Sequence, residues 1–300
     1  METPNFKLNN DIEIPALGLG TYTLKDDIMT NSIRAAFHAG TGLIDTASAY
    51  DNEHYIGKSL RMLKKDGIKR EQLFIQSKVG DKIDEKGEPI GYYFYNSTSC
   101  PCHDTKKVVM EQVEKSLNKL GTDYLDLLMI HWPYYDVLND IWRCLEDLYD
   151  QKIVRSIGVS NCRKRHLERI MRTANYVPMV NQINISPINA HQEEFDFCKQ
   201  YDIRIQAYSP LYTLRNLQFQ QEHKDLYSLS DKYGKTMSQI ILRWFFQKGI
   251  IPVPKSATPY RVHQNINIFD FEISAEDMQK IEAANINYQY LVESKFCPGY

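Results

Sequence analysis

Three short apolar runs in this chain each end on a residue able to hold or move a proton. Leu43-Ile44 closes on Asp45 with Tyr50 just beyond, Phe74-Ile75-Gln76-Ser77 closes on Lys78, and Leu127-Leu128-Met129-Ile130 closes on His131-Trp132-Pro133. An apolar run closed by one polar residue is the pattern of a buried parallel strand leaving its sheet. A Tyr, a Lys, an Asp and a His emerging together form a proton-transfer set. A carbonyl that receives hydride builds negative charge on its oxygen, and Tyr50 can supply the proton. A phenol with a pKa near 10 is a poor acid at neutral pH, so it needs a cation beside it, and Lys78 fits. A buried ammonium needs an anion, which Asp45 provides, while His131 can hold and orient the carbonyl oxygen. Taken singly, each residue has a plainer reading: a loop tyrosine, a solvated lysine, a helix cap, a satisfied core histidine. Their joint position at the ends of successive strands is what points to chemistry.

The elements that must position them recur along the chain. Phe6-Lys7-Leu8 and Ile12-Glu13-Ile14 alternate about Asn9-Asn10-Asp11 and read as a β-hairpin. Apolar runs then follow at Ala16–Leu19, Gly42–Ile44, Leu73–Gln76, Leu125–Ile130, Ser156–Val159, Met179–Ile183, Ile203–Ala207 and Ile250–Val253. Amphipathic stretches of helical length separate most of them: Ile28–His38, His54–Lys65, Thr105–Leu120, Val137–Gln151, Arg165–Thr173, Gln192–Tyr201 and Met237–Gln247. Eight strands alternating with helices predict an α/β fold, a (β/α)8 TIM barrel with an N-terminal hairpin and long loops at its C-terminal mouth. The competing doubly wound sheet requires a glycine fingerprint after the first strand. Gly18-Leu19-Gly20-Thr21-Tyr22 has the first two glycines and lacks the third. One barrel domain over residues 1–300 is expected, with an insertion at about 80–104 and a tail at about 287–300.

Composition narrows the partners. A chain of 300 residues that is 43% hydrophobic has material for a large core. A formal net charge of -2 argues against nucleic acid, whose phosphates call for concentrated Lys and Arg. No signal-peptide pattern and no apolar run of spanning length is present, so a cytoplasmic protein with no membrane partner is expected. Cys144, Cys162 and Cys198 are scattered and read as free thiols. Cys100-Pro101-Cys102-His103 is the one cluster, and without a second Cys/His pair at zinc-like spacing no metal is expected.

In order and spacing, the segment Leu43-Ile44-Asp45-Thr46-Ala47-Ser48-Ala49-Tyr50 with Glu53 and Gly57, then Ser77-Lys78, then Ile130-His131-Trp132-Pro133, resembles the aldo-keto reductase family. Further blocks agree: Gly158-Val159-Ser160-Asn161, Asn181-Gln182, Ala207-Tyr208-Ser209-Pro210-Leu211, and Ile251-Pro252-Val253-Pro254-Lys255-Ser256 through Arg261 and Asn265. The resemblance runs from Gly18 to about Asn265 and is to the small bacterial-type members, with a longer loop after the lysine. It implies reversible hydride transfer between NADPH/NADP+ and an aldehyde, ketone or alcohol, without a metal. It implies Tyr50 as general acid, Lys78 and Asp45 as its tuning pair, and His131 as the residue that orients substrate. It implies that Ser160, Asn161 and Gln182 hold the nicotinamide carboxamide, that Tyr208 stacks on the ring, and that Ser209 and Leu211 meet the pyrophosphate or its covering loop. Gly20, Thr21, Tyr22 and Asp45 are expected beside the cofactor, and Gln264 and Asn265 near its adenine end. Lys255, Ser256 and Arg261 match the site for the 2′-phosphate, and two cations beside a hydroxyl, ahead of the helix-like Pro259–Asn265 stretch, make chemical sense there.

Three departures concern the substrate more than the reaction. Ile183-Asn184-Ile185-Ser186-Pro187 stands where the family often has an acidic residue, an aromatic and a histidine. Gln264 stands where many members carry a glutamate, and the segment after Lys78 is long. Gly80 to Asp104 and Leu211 to Leu226 exceed ordinary connections, and in a barrel such loops line the mouth. Tyr22, Tyr50, His131, Trp132 and Tyr134 are the expected substrate pocket, with Tyr92 to Tyr95, Tyr135, Tyr212 and the Phe296–Tyr300 tail as further aromatic candidates. The expected partner is a small carbonyl compound, and the chain is expected as a monomer or weak dimer. Two other functions fit parts of the pattern. One is a nicotinamide-binding redox sensor with little turnover, which would not need Tyr50. The other is a barrel isomerase or lyase using His131 and Lys78, which leaves the cations at Lys255 and Arg261 unexplained.

Overall fold

The computed structural model describes residues 3–83, 89–92, 105–134, 136–215 and 221–288. A hairpin of β1 (Asn5–Lys7) and β2 (Glu13–Pro15) comes first, paired antiparallel with Phe6 opposite Ile14. Eight parallel strands follow: β3 (Leu19–Gly20), β4 (Leu43–Asp45), β5 (Phe74–Val79), β8 (Leu127–Ile130), β9 (Ile157–Ser160), β10 (Val180–Ile183), β11 (Arg204–Tyr208) and β12 (Ile251–Val253). Between β5 and β8, the short strands β6 (Asp81–Ile83) and β7 (Pro89–Tyr92) form a separate antiparallel pair.

The parallel strands are hydrogen-bonded in chain order from β3 to β12. The ring closes because the Gly18 amide donates to Pro252 O and the Gly20 amide to Pro254 O, both at 3.0 Å. Glycine is required at this seam: a Cβ on Gly20 would lie 2.8 Å from the carbonyl oxygen of Val253. Every residue of β5, β8, β9, β10 and β12 is buried, as expected of strands covered on both faces.

The helices are α1 (Asp26–Ala39), α2 (Glu53–Lys65), α3 (Thr105–Leu120), α4 (Leu138–Asp150), α5 (Lys164–Met171), α6 (Gln192–Gln200), α7 (Lys224–Tyr233), α8 (Met237–Gln247), α9 (Pro259–Ile266) and α10 (Ala275–Glu282). Their apolar stripes explain the packing. On α4, Leu138, Ile141, Trp142, Leu145 and Leu148 recur at helical spacing and are all buried. Termini follow local chemistry: Gly40 at φ 111° ends α1, and the Thr236 hydroxyl accepts the Gln239 amide to start α8.

The hairpin closes the end of the barrel opposite the strand exits. The Asn9 side chain donates to Pro178 O and that of Asn10 to Arg155 O, just ahead of β10 and β9, and Arg204 at the start of β11 donates to Lys7 O. The expected barrel, hairpin and seven helices are thus present. The departures are local. The first strand pairs at Leu19–Gly20 rather than across Ala16–Leu19. The segment after Lys78 is not structureless throughout, since it begins with the β6–β7 ribbon. The long segment after β11 contains a 3-10 turn at Tyr212–Arg215 and ends inside α7. The Cys100–His103 cluster, Tyr93, Tyr95, Tyr135 and the tail from 289 lie outside the described residues. Among those described, no helix is long and apolar enough to cross a membrane, and Cys144, Cys162 and Cys198 are buried.

Candidate active site

The strand register brings the reactive side chains to one end of the ring. Asp45 is the last residue of β4 and lies opposite Gln76 of β5, so Lys78, two residues on, points from the same face. Lys78 is fully buried. Its ammonium donates to Asp45 Oδ1 at 2.6 Å and to Thr46 O at 2.8 Å. A lysine in this position is tolerable only because both bonds compensate its lost hydration.

Tyr50 ends the 3-10 turn Ser48–Tyr50, which Asp51 stops at φ 47°. Buried Asn52 fixes that turn against the ring: its Oδ1 accepts from the Thr46 hydroxyl at 3.0 Å, and its Nδ2 donates to Thr21 O at 2.8 Å. The Lys78 ammonium lies 5.2 Å from the centre of the Tyr50 ring. The His131 ring, just beyond β8, meets the same ring edge-on at 5.9 Å, and the Tyr22 ring, just beyond β3, does so at 5.0 Å. Asp45, Tyr50, Lys78 and His131 are therefore assembled in one place. Tyr50 and His131 are half-buried, Tyr22 is exposed, Trp132 is 7% exposed, and Tyr134 is wholly buried against Gly80.

A second group lies across the mouth. The Ser160 hydroxyl donates to Gln182 O at 2.9 Å, and the Asn161 amide group donates to His131 O at 3.0 Å. Asn161 sits at φ 58°, a left-handed conformation that asparagine tolerates well. Its Oδ1 accepts from the Tyr208 hydroxyl at 2.8 Å, so the half-buried Tyr208 ring is held by the residue that also touches the His131 backbone. Ser209 follows at φ 50°, ahead of half-buried Leu211.

A third group marks the seam. Gly20 bridges to Lys255, and buried Thr21 donates both its amide and its hydroxyl to Asp45 O, at 3.1 and 2.8 Å. Lys255 and Arg261 are exposed, and among the described residues neither takes part in an ion pair. Between them, the Ser256 hydroxyl accepts the Thr258 amide at the start of α9. Ser256 and Asn265 share a small pocket with Gly18, Leu19 and Pro254, whereas Gln264 faces a larger cleft of about 500 Å³ with His38, Lys235, Tyr260 and His263. That larger cleft contains none of the four reactive residues.

Two buried glutamines that support the site were not singled out from the sequence. Gln76 and Gln206, interior to β5 and β11, hydrogen-bond to each other; Gln76 and Gln182 donate to Asp45 Oδ1, and Gln182 also donates to Gln206. Glu53, at the start of α2, accepts the Ser77 hydroxyl at 2.8 Å. Burial pushes the Glu53 carboxyl above its ordinary value, opposed by the Ser77 bond and the Lys119 charge. A polar residue inside an otherwise apolar strand was the available signal, because such a group must find a partner.

Comparison with known proteins agrees with this geometry. The family model described as "Aldo/keto reductase family" matches residues 16–286. Glyoxal reductase of Bacillus subtilis (strain 168) is 39% identical over 280 residues, covering 93% of this chain and 92% of the relative. Methylglyoxal reductase DkgA of Escherichia coli (strain K12) is 31% identical over 277 residues, covering 92% and 91%. Among solved structures, a Bombyx mori aldo-keto reductase in complex with NADP aligns with a TM-score of 0.82 at 28% identity over 98% of this chain and 97% of that one. An aldo/keto reductase from Brucella melitensis aligns with a TM-score of 0.79 at 34% identity, over 94% and 99%. On the match across residues 16–286, this chain belongs to the aldo/keto reductase family.

Proposed function

We propose that this protein reduces an aldehyde or ketone to the alcohol with NADPH, reversibly, and that Tyr50 is the general acid. The observation that carries this reading is the buried Lys78–Asp45 pair at 2.6 Å with its ammonium 5.2 Å from the Tyr50 ring. A phenol beside a fixed cation can give up its proton and be left as a stabilised phenolate. Charged or titratable groups that face the ring include Lys78, Asp45, His131 and Tyr22, with Asp51 following in the chain.

The chain's own residues suit the cofactor. Lys255 and Arg261, two unpaired cations at the start of α9, can take the 2′-phosphate with charge-assisted bonds. Asn161 and Ser160 offer polar groups of the kind a carboxamide requires, and the Tyr208 ring, tethered through its hydroxyl, offers a flat face for the nicotinamide. When bound, NADPH supplies the hydride. Tyr50 gives its proton to the carbonyl oxygen, His131 holds that oxygen in line, and Lys78 stabilises the phenolate until solvent returns the proton. The curated relatives named as glyoxal and methylglyoxal reductases support a small reactive carbonyl as substrate class.

The test is NADPH consumption over a panel of aldehydes and ketones, with Tyr50→Phe beside the wild type. Turnover should fall by about a thousandfold or more in the variant while NADPH binding persists. An unchanged rate would overturn the assignment of the acid. NADPH binding with no turnover on any carbonyl would favour a redox-sensing role instead.

A further inference from the structure

Beneath the Asp45–Lys78 pair, three buried glutamines form a hydrogen-bonded circuit across the barrel interior. Gln76 Nε2 donates to Asp45 Oδ1 at 2.7 Å and to Gln206 Oε1 at 2.9 Å. Gln182 Nε2 donates to the same two acceptors, both at 2.9 Å. Gln206 Nε2 donates back to Gln76 Oε1 at 2.9 Å. None of the three glutamines is more than 1% exposed, and they come from β5, β10 and β11.

The charges at the top dictate the direction of every amide. An ionised Asp45 can only accept and Lys78 can only donate. Gln76 and Gln182 must therefore turn their NH2 groups toward Asp45. Each has a second N–H, and both of these fall on the single oxygen of Gln206, so that the NH2 group of Gln206 is directed to Gln76 Oε1. Reversing any one amide would set N–H against N–H or oxygen against oxygen among fully buried side chains. The circuit consumes both N–H groups of Gln182 and leaves its Oε1 as the one side-chain atom without a role in it.

We propose that Gln76 and Gln206 are positioning residues: Gln206, held by Gln76, fixes the Gln182 amide so that its Oε1 is reserved for the carboxamide N–H of the nicotinamide, and Gln76 shares the Asp45 charge with Lys78. The inference rests on the reading of this site as an NADPH-dependent reductase. It adds that cofactor seating and proton transfer are coupled through one oriented circuit. Removing the Gln206 oxygen frees the Gln182 amide to rotate and weakens cofactor binding. Removing the Gln76 donor leaves more negative charge on Asp45 beside Lys78, so the cation favours the Tyr50 phenolate less.

Three substitutions test it, with NADPH affinity read by fluorescence titration and kcat followed against pH. In Gln206→Met the Kd for NADPH should rise about tenfold, the effect of stranding buried N–H groups. Gln206→Glu in its protonated form retains an acceptor for both N–H groups and an O–H for Gln76 Oε1, so at pH values where that acid is neutral its Kd should stay within about twofold of wild type, and its ionisation adds a step to the kcat profile. In Gln76→Met the alkaline limb of carbonyl reduction, which requires a protonated Tyr50, should move up by about half a pH unit. A role in folding alone would lower the amount of active protein without moving that limb or separating the two Gln206 variants. Wild-type Kd and pH profile in folded Gln206→Met and Gln76→Met would overturn the proposal. The affinity readout does not need turnover. Tenfold weaker NADPH binding in Gln206→Met would therefore stand even if Tyr50→Phe proved active, whereas a wild-type chain that binds no NADPH would sink both readings.

Discussion

Ser77 donates its hydroxyl to Glu53 Oε1 at 2.8 Å, joining the first turn of α2 to β5 at the residue before Lys78. Tyr50 lies just upstream of that helix turn, so this bond links the strand that carries the cation to the turn that carries the acid. The helix has little freedom to shift: a Cβ at Gly57 on α2 would come within 2.9 Å of Leu120 O at the end of α3. Backbone packing, this side-chain bond and the Asn52 bonds to Thr46 and Thr21 together set the Tyr50–Lys78 relationship.

Glu53 should behave as a residue whose charge costs stability. Burial is the largest influence on its carboxyl and raises its folded pKa above the unfolded value. Above the unfolded value the folded state therefore holds its proton more strongly than the unfolded chain, and stability falls as pH rises through that window. Glu53→Gln keeps an oxygen for the Ser77 hydroxyl and removes the charge. It should raise Tm at pH 8 by about 2–4 °C, a gain that shrinks toward pH 4. Glu53→Ala should lower Tm at both. Melting curves at the two pH values decide, and a lower Tm for Glu53→Gln at pH 8 would contradict the account.

Asp45, Tyr50, Lys78 and His131 were legible in the sequence because each follows an apolar run or the loop beyond it. Gln76 and Gln206 stand inside such runs, where a glutamine reads as part of the strand, and their partnership joins strands far apart in the chain. The helices α7 and α10 were not anticipated because their apolar stripes are thin. Leu226 and Leu229 carry most of the burial on α7, and Ile281 does so on α10. For α10 a signal existed in Ser274-Ala275-Glu276-Asp277, where the Ser274 hydroxyl caps the helix by accepting the Asp277 amide. The β6–β7 ribbon was hidden because Pro89 and Gly91 break the alternation that marks a strand.

Lys255 and Arg261 should set cofactor choice. Both are exposed, and among the described residues neither is neutralised by a carboxylate. Lys255→Met and Arg261→Met should each weaken NADPH binding about tenfold and leave NADH binding unchanged within about twofold. Raising salt should weaken NADPH binding in the wild type more than in either variant. Fluorescence titration with both cofactors at two ionic strengths measures this. Equal loss of NADPH and NADH affinity would show that these side chains shape the site rather than hold the 2′-phosphate.

His166 should make the fold sensitive to mild acid. It is 2% exposed on α5, and burial, reinforced by the charges of Arg165, Arg163 and Arg169, pushes its imidazole down from 6.5 to about 4. The neutral ring has a structural task, since Nδ1 accepts the Arg163 amide at 3.1 Å and so closes the first turn of the helix. A proton on that nitrogen would set two donors facing each other. Between pH 6.5 and about 4 the unfolded chain takes up the proton and the folded chain does not. Stability therefore falls as pH drops through that window, by up to about 3 kcal/mol, and is fully present above it. His166→Gln keeps an oxygen able to accept the Arg163 amide and cannot titrate. Urea midpoints at pH 7.5 and 4.5 should fall further for the wild type than for this variant. Parallel losses in the two proteins would assign the acid sensitivity to other groups.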